Sequence, residues 1–168
     1  MDIEGSVCLV TGATSGIGRA TALRLAGLGA QVVSVGRDVL GLDEVGKQTS
    51  GLPIRADLSD PADIDLAVQE ALAAFGRVDV LVNNAGQGWA GPFIEQDVDG
   101  ADYLIRVNLI APIRLTRALL PGMVQRERGA VINVSSVAGH LGVKDEAVYA
   151  STKAGLIGFA RSLRPTTR

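Results

Sequence analysis

Tyr149 and Lys153 stand four residues apart, and on a helix that spacing puts both side chains on one face. A free phenol has a pKa near ~10, too high for ready proton exchange at neutral pH. A neighbouring ammonium favours the phenolate, which would tune Tyr149 for general acid–base work. Seen alone, the pair is as readily a surface tyrosine and a surface lysine. Thirteen residues before Tyr149, Ser136 follows the apolar run Ala130–Val134 and so falls just past the carboxyl end of a strand. Open α/β sheets place their ligands there. The Ser136 hydroxyl is therefore placed to hydrogen-bond a carbonyl oxygen and stabilise a developing alkoxide. Its neighbour Ser135 suits the duty of a turn or helix cap. His140, the sole histidine, lies on the loop before Tyr149 and reads as a rim residue rather than a base.

Near the amino end, Gly12, Gly16 and Gly18 punctuate the stretch Thr11–Gly18, which also holds Thr14, Ser15 and Ile17. The apolar run Val7-Cys8-Leu9-Val10 precedes it and a helical pattern containing Leu23 and Leu25 follows. Strand, glycine turn and helix together bring backbone N–H groups and a positive helix end up to a phosphate. A tight turn without a ligand would show the same three glycines. No Gly-Lys-Ser/Thr closes the stretch, which counts against phosphoryl transfer on a P-loop.

The elements that position these residues are short β-rich runs alternating with longer helical patterns. That rhythm predicts a single doubly wound α/β domain with a parallel sheet over residues 1–168. Strands are expected at Ser6–Val10, Gln31–Val35, Pro53–Ala56, Val78–Val82 and Ala130–Val134. The third starts with proline and so belongs near a sheet edge. The last, continuous and β-branched, has the make-up of a buried strand. Helices are expected over Gly16–Leu28 (closed by Gly29), Val39–Thr49, from Ser59-Asp60-Pro61 through Phe75, over Tyr103–Arg126 with a bend or division at Pro112, and over Glu146–Leu163.

The chain has 168 residues, 47% apolar and 20% charged, with a net charge of −2. That is enough for one core, and neither nucleic acid nor an anionic membrane is indicated. The acidic start Met1-Asp2-Ile3-Glu4 has no signal-peptide character and no apolar window reaches membrane length, so a cytoplasmic protein is expected. Cys8 sits inside the first apolar run and reads as a small buried hydrophobe. No metal site is expected.

The ordered set Thr11–Gly18, Asp57, Asn83-Asn84-Ala85-Gly86, Asn108, Ser135-Ser136 and Tyr149-Ala150-Ser151-Thr152-Lys153 closely resembles the short-chain dehydrogenase/reductase family. The resemblance runs through nearly the whole chain and extends to the Ser136–Tyr149 spacing. It implies a Rossmann-like sheet of strand order 3-2-1-4-5 and hydride transfer between a nicotinamide dinucleotide and a ketone or secondary alcohol. Tyr149 would be the general acid/base, with Ser136 polarising the carbonyl. Lys153 would tune the tyrosine and hold the nicotinamide ribose, and Asn108 would support a water-mediated link to Lys153. Asn84, Ala85 and Gly86 would line the adenosine ribose, and Asp57 with Leu58 would contact adenine. An acid about twenty residues past the glycines binds the NAD ribose, whereas an arginine nearby accepts the NADP phosphate. Here Gly36 takes the acid's place and Arg37 follows, so NADP(H) is favoured over NAD(H). Asp38 is the competing acid, and Arg37 with Asp38 would also serve to cap the next helix. The small-molecule substrate is a carbonyl or alcohol, with a 3-oxoacyl thioester among the options, and a homo-oligomer is implied.

Members of that family continue past the catalytic helix into two further strands and a substrate-covering segment. This chain passes from Arg161-Ser162-Leu163 into the polar stretch 164–168. A C-terminally shortened product, a fragment and a partner-completed form all fit, and the fifth strand would lie at a sheet edge. The rival reading is a non-catalytic module that binds a dinucleotide or a partner without turnover. The intact Ser136, Tyr149 and Lys153 argue against it.

Overall fold

A computed structural model describes residues 2–163; the expected polar stretch 164–168 lies outside the described residues. Five strands, β1 (Val7–Thr11), β2 (Gln31–Gly36), β3 (Leu52–Arg55), β4 (Val80–Asn83) and β5 (Ala130–Asn133), form one sheet in the order 3-2-1-4-5. Every pairing is parallel. The crossovers are α1 (Gly16–Ala26), α2 (Val39–Thr49), α3 (Pro61–Phe75), α4 (Val98–Ile105) continuing into α5 (Ala111–Gln125), and α6 (Ala147–Ser162) follows β5. The alternation of strand and helix in the sequence thus yields the doubly wound sheet it predicts.

β1 is buried along its length because both faces are covered. Val7 and Leu9 pack with Ile64 and Ala67 of α3 and Leu115 of α5. Cys8 and Val10 face the other way, onto Ala22 of α1 and Val45 of α2. The Cys8 thiol is core filling: burial, with the Asp79 charge, pushes its pKa up to about 11, so it stays protonated. Beneath β1, the Asp79 carboxylate accepts the Val7 N–H at 3.0 Å and pairs with Arg77 at 2.9 Å. β3 is an edge strand, and its Pro53 pairs in register with Ser34.

Several element ends differ from expectation for local reasons. α1 stops at Ala26: the Leu28 and Gly29 N–H groups bond three residues back, the Ala30 N–H reaches the Leu25 carbonyl at 3.1 Å, and Gly29, at φ +83, turns the chain into β2. Asp60 rather than Ser59 caps α3, its carboxylate accepting the Ala62 N–H at 2.8 Å with Pro61 in the first turn. The Ser59 N–H is instead given to Asp57 Oδ1 at 2.9 Å. The long helix begins at Val98, where Asp97 accepts the Gly100 N–H at 2.8 Å, not at Tyr103. It divides before Pro112, in a widened π turn at Arg106–Ile110, and Pro112 sits in the first turn of α5 where no N–H is needed. β5 is the other sheet edge, so it is not the buried strand its composition predicts, and its Ile132 is 49% exposed. Among the described residues no helix is long and apolar enough to cross a membrane.

Candidate active site

The strand order reverses between β1 and β4, and the loops leaving their carboxyl ends splay apart to open a crevice. Thr11 ties the two loops together. Its Oγ1 accepts the N–H groups of Asn84 and Ala85, each at 3.0 Å, and donates to the Val82 carbonyl at 3.2 Å. The Asn84 amide donates to the carbonyls of Thr11 at 2.9 Å and Gly12 at 3.3 Å. Gly16 adopts φ +52, and a Cβ built there would meet no atom within 4 Å, so the turn is left open towards the crevice. Gly18 does a different job. A Cβ on it would lie 2.2 Å from the Gly12 carbonyl oxygen and 2.4 Å from the Asn84 amide nitrogen. It lets α1 pack against the turn and lies buried behind it, outside the crevice wall.

The crevice, about 540 Å³, is lined by Gly12, Thr14, Ser15, Gly16, Ile17, Arg37, Asp57, Leu58, Asn84, Ala85 and Gly86. Gly18 is the single expected cofactor-turn residue outside the wall, because its space is taken by packing. The bare Gly16 turn at the N-terminus of α1 fits the pyrophosphate of a dinucleotide, and Arg37 puts positive charge at the crevice rim. At the Arg37 end, burial works against the Asp57 charge. Its bonds from Ser59 and the guanidinium groups of Arg37 and Arg55 prevail, and hold the carboxyl below its usual pKa. Asp38 occupies the cap position of α2 but makes no side-chain cap bond, and it too lines the crevice. The Arg37 guanidinium donates to the Tyr103 hydroxyl and lies 5.7 Å from its ring centre.

A second cleft of about 520 Å³ continues the first through Ile17, Asn84, Gly86 and Gln87, and Tyr149 and Lys153 line it. The sheet end and α6 fix Lys153, which is 5% exposed and donates from Nζ to the Val134 carbonyl at 3.0 Å. Its ammonium lies 5.7 Å from the Tyr149 ring centre, and burial lowers its pKa from the ordinary lysine value. Asn108 is fully buried in the π turn. Its amide donates to the Gln87 carbonyl at 2.8 Å and the Thr152 hydroxyl at 3.2 Å, and its oxygen accepts the Gln87 N–H at 2.8 Å. Asn108 Oδ1 and Lys153 Nζ both crowd Gly86, 3.3 and 3.4 Å from where its Cβ would stand. So α6, the π turn and the loop after β4 converge on one point.

Both serines are engaged with backbone groups, and Ser135 rather than Ser136 lines the second cleft. Ser136 Oγ accepts the Ala138 N–H at 3.2 Å and caps the short turn Val137–Gly139, because it directly precedes that turn. Ser135 lines the cleft and donates to the Lys153 carbonyl at 3.1 Å. Tyr103 and Trp89 also line the crevices. Sequence reasoning missed both: Tyr103 was read as the start of a helix, and Trp89 lies in a glycine-rich loop without a periodic signal. Thr152 lies within the Tyr149–Lys153 stretch, and nothing local marks it as the partner of Asn108.

The profile of the family described as short chain dehydrogenase matches residues 6–167. A protein of Thermotoga maritima named 3-oxoacyl-[acyl-carrier-protein] reductase FabG is 38% identical across 96% of this chain, which spans 68% of it. The mouse dehydrogenase/reductase SDR family member 7B is 36% identical, and this chain spans 53% of its length. Among solved structures, a metagenomic short-chain oxidoreductase in complex with NADP superimposes with a TM-score of 0.91 at 44% identity, over 96% of this chain and 76% of that one. A short-chain dehydrogenase from Streptomyces avermitilis gives 0.91 at 39% identity, over 97% of this chain and 61% of its own. With the 3-2-1-4-5 parallel sheet and the joined crevices, these likenesses show that the chain belongs to the short chain dehydrogenase/reductase family of NAD(P)-dependent oxidoreductases.

Proposed function

We propose that this chain carries the cofactor and catalytic groups for hydride transfer between NADP(H) and a ketone or secondary alcohol. One observation carries the reading: a nearly buried Lys153 ammonium held 5.7 Å from the Tyr149 ring, in a cleft continuous with the glycine-turn crevice. When bound, NADP(H) supplies or accepts the hydride. Gly12, Thr14, Ser15, Gly16 and Ile17 would face its pyrophosphate at the N-terminus of α1, and Arg37 its 2′-phosphate. Asp57 and Leu58 would border adenine, and Asn84, Ala85 and Gly86 the adenosine ribose. In reduction, Tyr149 gives its phenolic proton to the carbonyl oxygen as negative charge develops there. The Lys153 charge stabilises the oxygen that Tyr149 leaves bare, and its ammonium is placed to hold the nicotinamide ribose. Ser136 would polarise the carbonyl, once its hydroxyl gives up its role as acceptor for Ala138. Asn108 keeps the loop after β4 and α6 in register with each other through Gln87 and Thr152.

A 3-oxoacyl thioester is the substrate class we favour, on the likeness to the Thermotoga maritima reductase. The exposed apolar side chains Val98, Ile105, Ile110 and Val124 of the α4–α5 region support a homo-oligomer. The exposed β5 edge favours a second reading, a dinucleotide-binding module without turnover. Turnover of a ketone and alcohol panel with NADPH and NADH separates the two. Catalysis predicts turnover that falls by about 10² or more in Tyr149→Phe while NADPH binding persists. Binding without turnover in the unsubstituted chain would establish the module instead.

A further inference from the structure

Arg37 leaves the end of β2 and Tyr103 comes from α4, sixty-six positions along the chain, yet the two side chains meet at the rim of the cofactor crevice. The contact has two parts: a guanidinium N–H donated to the phenol oxygen, and the ring centre 5.7 Å from the guanidinium carbon. Both residues line the same crevice, with Asp57 and Leu58 between the strand ends. Arg37 is exposed, and no carboxylate makes a salt bridge with it among the described residues. Without Tyr103 this long side chain would be free to sample many rotamers, and ordering it on a ligand would cost affinity. Tyr103 is half-buried on a helix and supplies a rigid anchor with few rotatable bonds. A guanidinium has five N–H donors in a planar fork, so one bond to Tyr103 leaves the others for a phosphate.

We propose that Tyr103 is the positioning residue for cofactor selection: it holds the Arg37 guanidinium over the crevice rim, poised for the 2′-phosphate of NADP(H). The proposal rests on Arg37 being the phosphate-reading residue. The hydroxyl that Tyr103 offers is bonded to the Arg37 guanidinium, so its removal is expected to act on NADPH and to spare NADH.

The test is calorimetric titration of the unsubstituted chain, Arg37→Ala, Tyr103→Phe, Tyr103→Leu and the double variant Arg37→Ala/Tyr103→Phe with NADPH and with NADH. Tyr103→Phe keeps the ring and removes the acceptor, and its NADPH affinity is expected to fall about three- to tenfold with NADH affinity unchanged. Tyr103→Leu removes the ring as well and is expected to lose at least as much. In the Arg37→Ala background, Tyr103→Phe should have no further effect, because the group it holds is gone. An equal loss for both dinucleotides would make Tyr103 merely structural and overturn the proposal. Unchanged or tighter NADPH binding in Tyr103→Phe would overturn it too, the latter showing competition for the guanidinium. If Arg37→Ala leaves the preference intact, the phosphate reading of Arg37 fails and the role of Tyr103 falls with it. If only the tyrosine variants are silent, Arg37 stands and Tyr103 alone is refuted.

Discussion

Gly18→Ala is the sharpest perturbation of the cofactor turn. The added methyl would stand 2.2 Å from the Gly12 carbonyl oxygen and 2.4 Å from the Asn84 amide nitrogen. Non-bonded heavy atoms settle near ~3.5 Å, so α1 must retreat by about 1 Å or the Asn84 side chain must leave its carbonyl partners. Neither response is free, since Asn84 joins the turn to the loop after β4 through bonds to Thr11 and Gly12. Overpacking of this kind costs about 1–3 kcal/mol, and the better helix propensity of alanine returns about 0.5–1 kcal/mol. The expected net loss is about 1–2 kcal/mol, or about 2–8 °C in melting temperature for a chain of this size. Gly158→Ala is the control, the same change inside another helix. Its Cβ would meet nothing within 4 Å, and a gain of about 0.5–1 kcal/mol is expected. Thermal melts of both variants, with NADPH titration of each, read the comparison. If Gly18→Ala melts no lower than Gly158→Ala, the close packing of turn against helix does not hold the crevice together.

Asp79 sets an acid limit on stability. Burial opposes its charge, but the Val7 N–H and the neighbouring arginines outweigh it and leave its folded pKa below the unfolded one. Its contribution is therefore full above the unfolded pKa of about 4 and disappears as pH falls through the lower, folded value. Asp79→Asn should lose about 1–3 kcal/mol at pH 7 by urea unfolding, and its stability should converge with that of the unsubstituted chain as pH drops below about 4. Asn108→Ala would empty a fully buried position and remove its two bonds to the Gln87 backbone and its bond to the buried Thr152 hydroxyl. A loss of about 2–3 kcal/mol is expected by the same assay, and an unchanged midpoint would show that the π turn does not clamp α6 to the loop after β4.

How much of this was legible in the sequence depended on the range of the interaction. The alternation of strands and helices and the Tyr149–Lys153 face follow from periodicity and spacing, which are local, and both appear in the structure; the strand order comes from the resemblance. At the start of α3 two candidate caps stand side by side, and only the backbone direction chooses between Ser59 and Asp60, whereas α1 ends short of Leu28 because of the bonds that close around Gly29. The start of α4 was missed because Val98-Asp99-Gly100 has weak helix propensity, and Asp97 compensates by capping it. β5 reads as a buried strand from its own residues, but burial is decided by what covers it, and that is not encoded in four positions. The capping duty of Ser136 is hidden for a similar reason: Ser135 and Ser136 are both small hydroxyls, and only the turn that follows shows which one caps it. Tyr103 meeting Arg37 is a contact between distant segments, invisible to any local pattern.

The most direct test of the central claim is the affinity of the purified chain for NADPH and NADH, measured by calorimetry in one buffer. An intact phosphate-reading rim predicts NADPH binding at least about tenfold tighter than NADH, a difference of about 1.4 kcal/mol. Tighter binding of NADH would move the ribose contact from Arg37 to Asp38 and contradict the NADP assignment. Failure to bind either dinucleotide would contradict the claim that this crevice holds a cofactor at all.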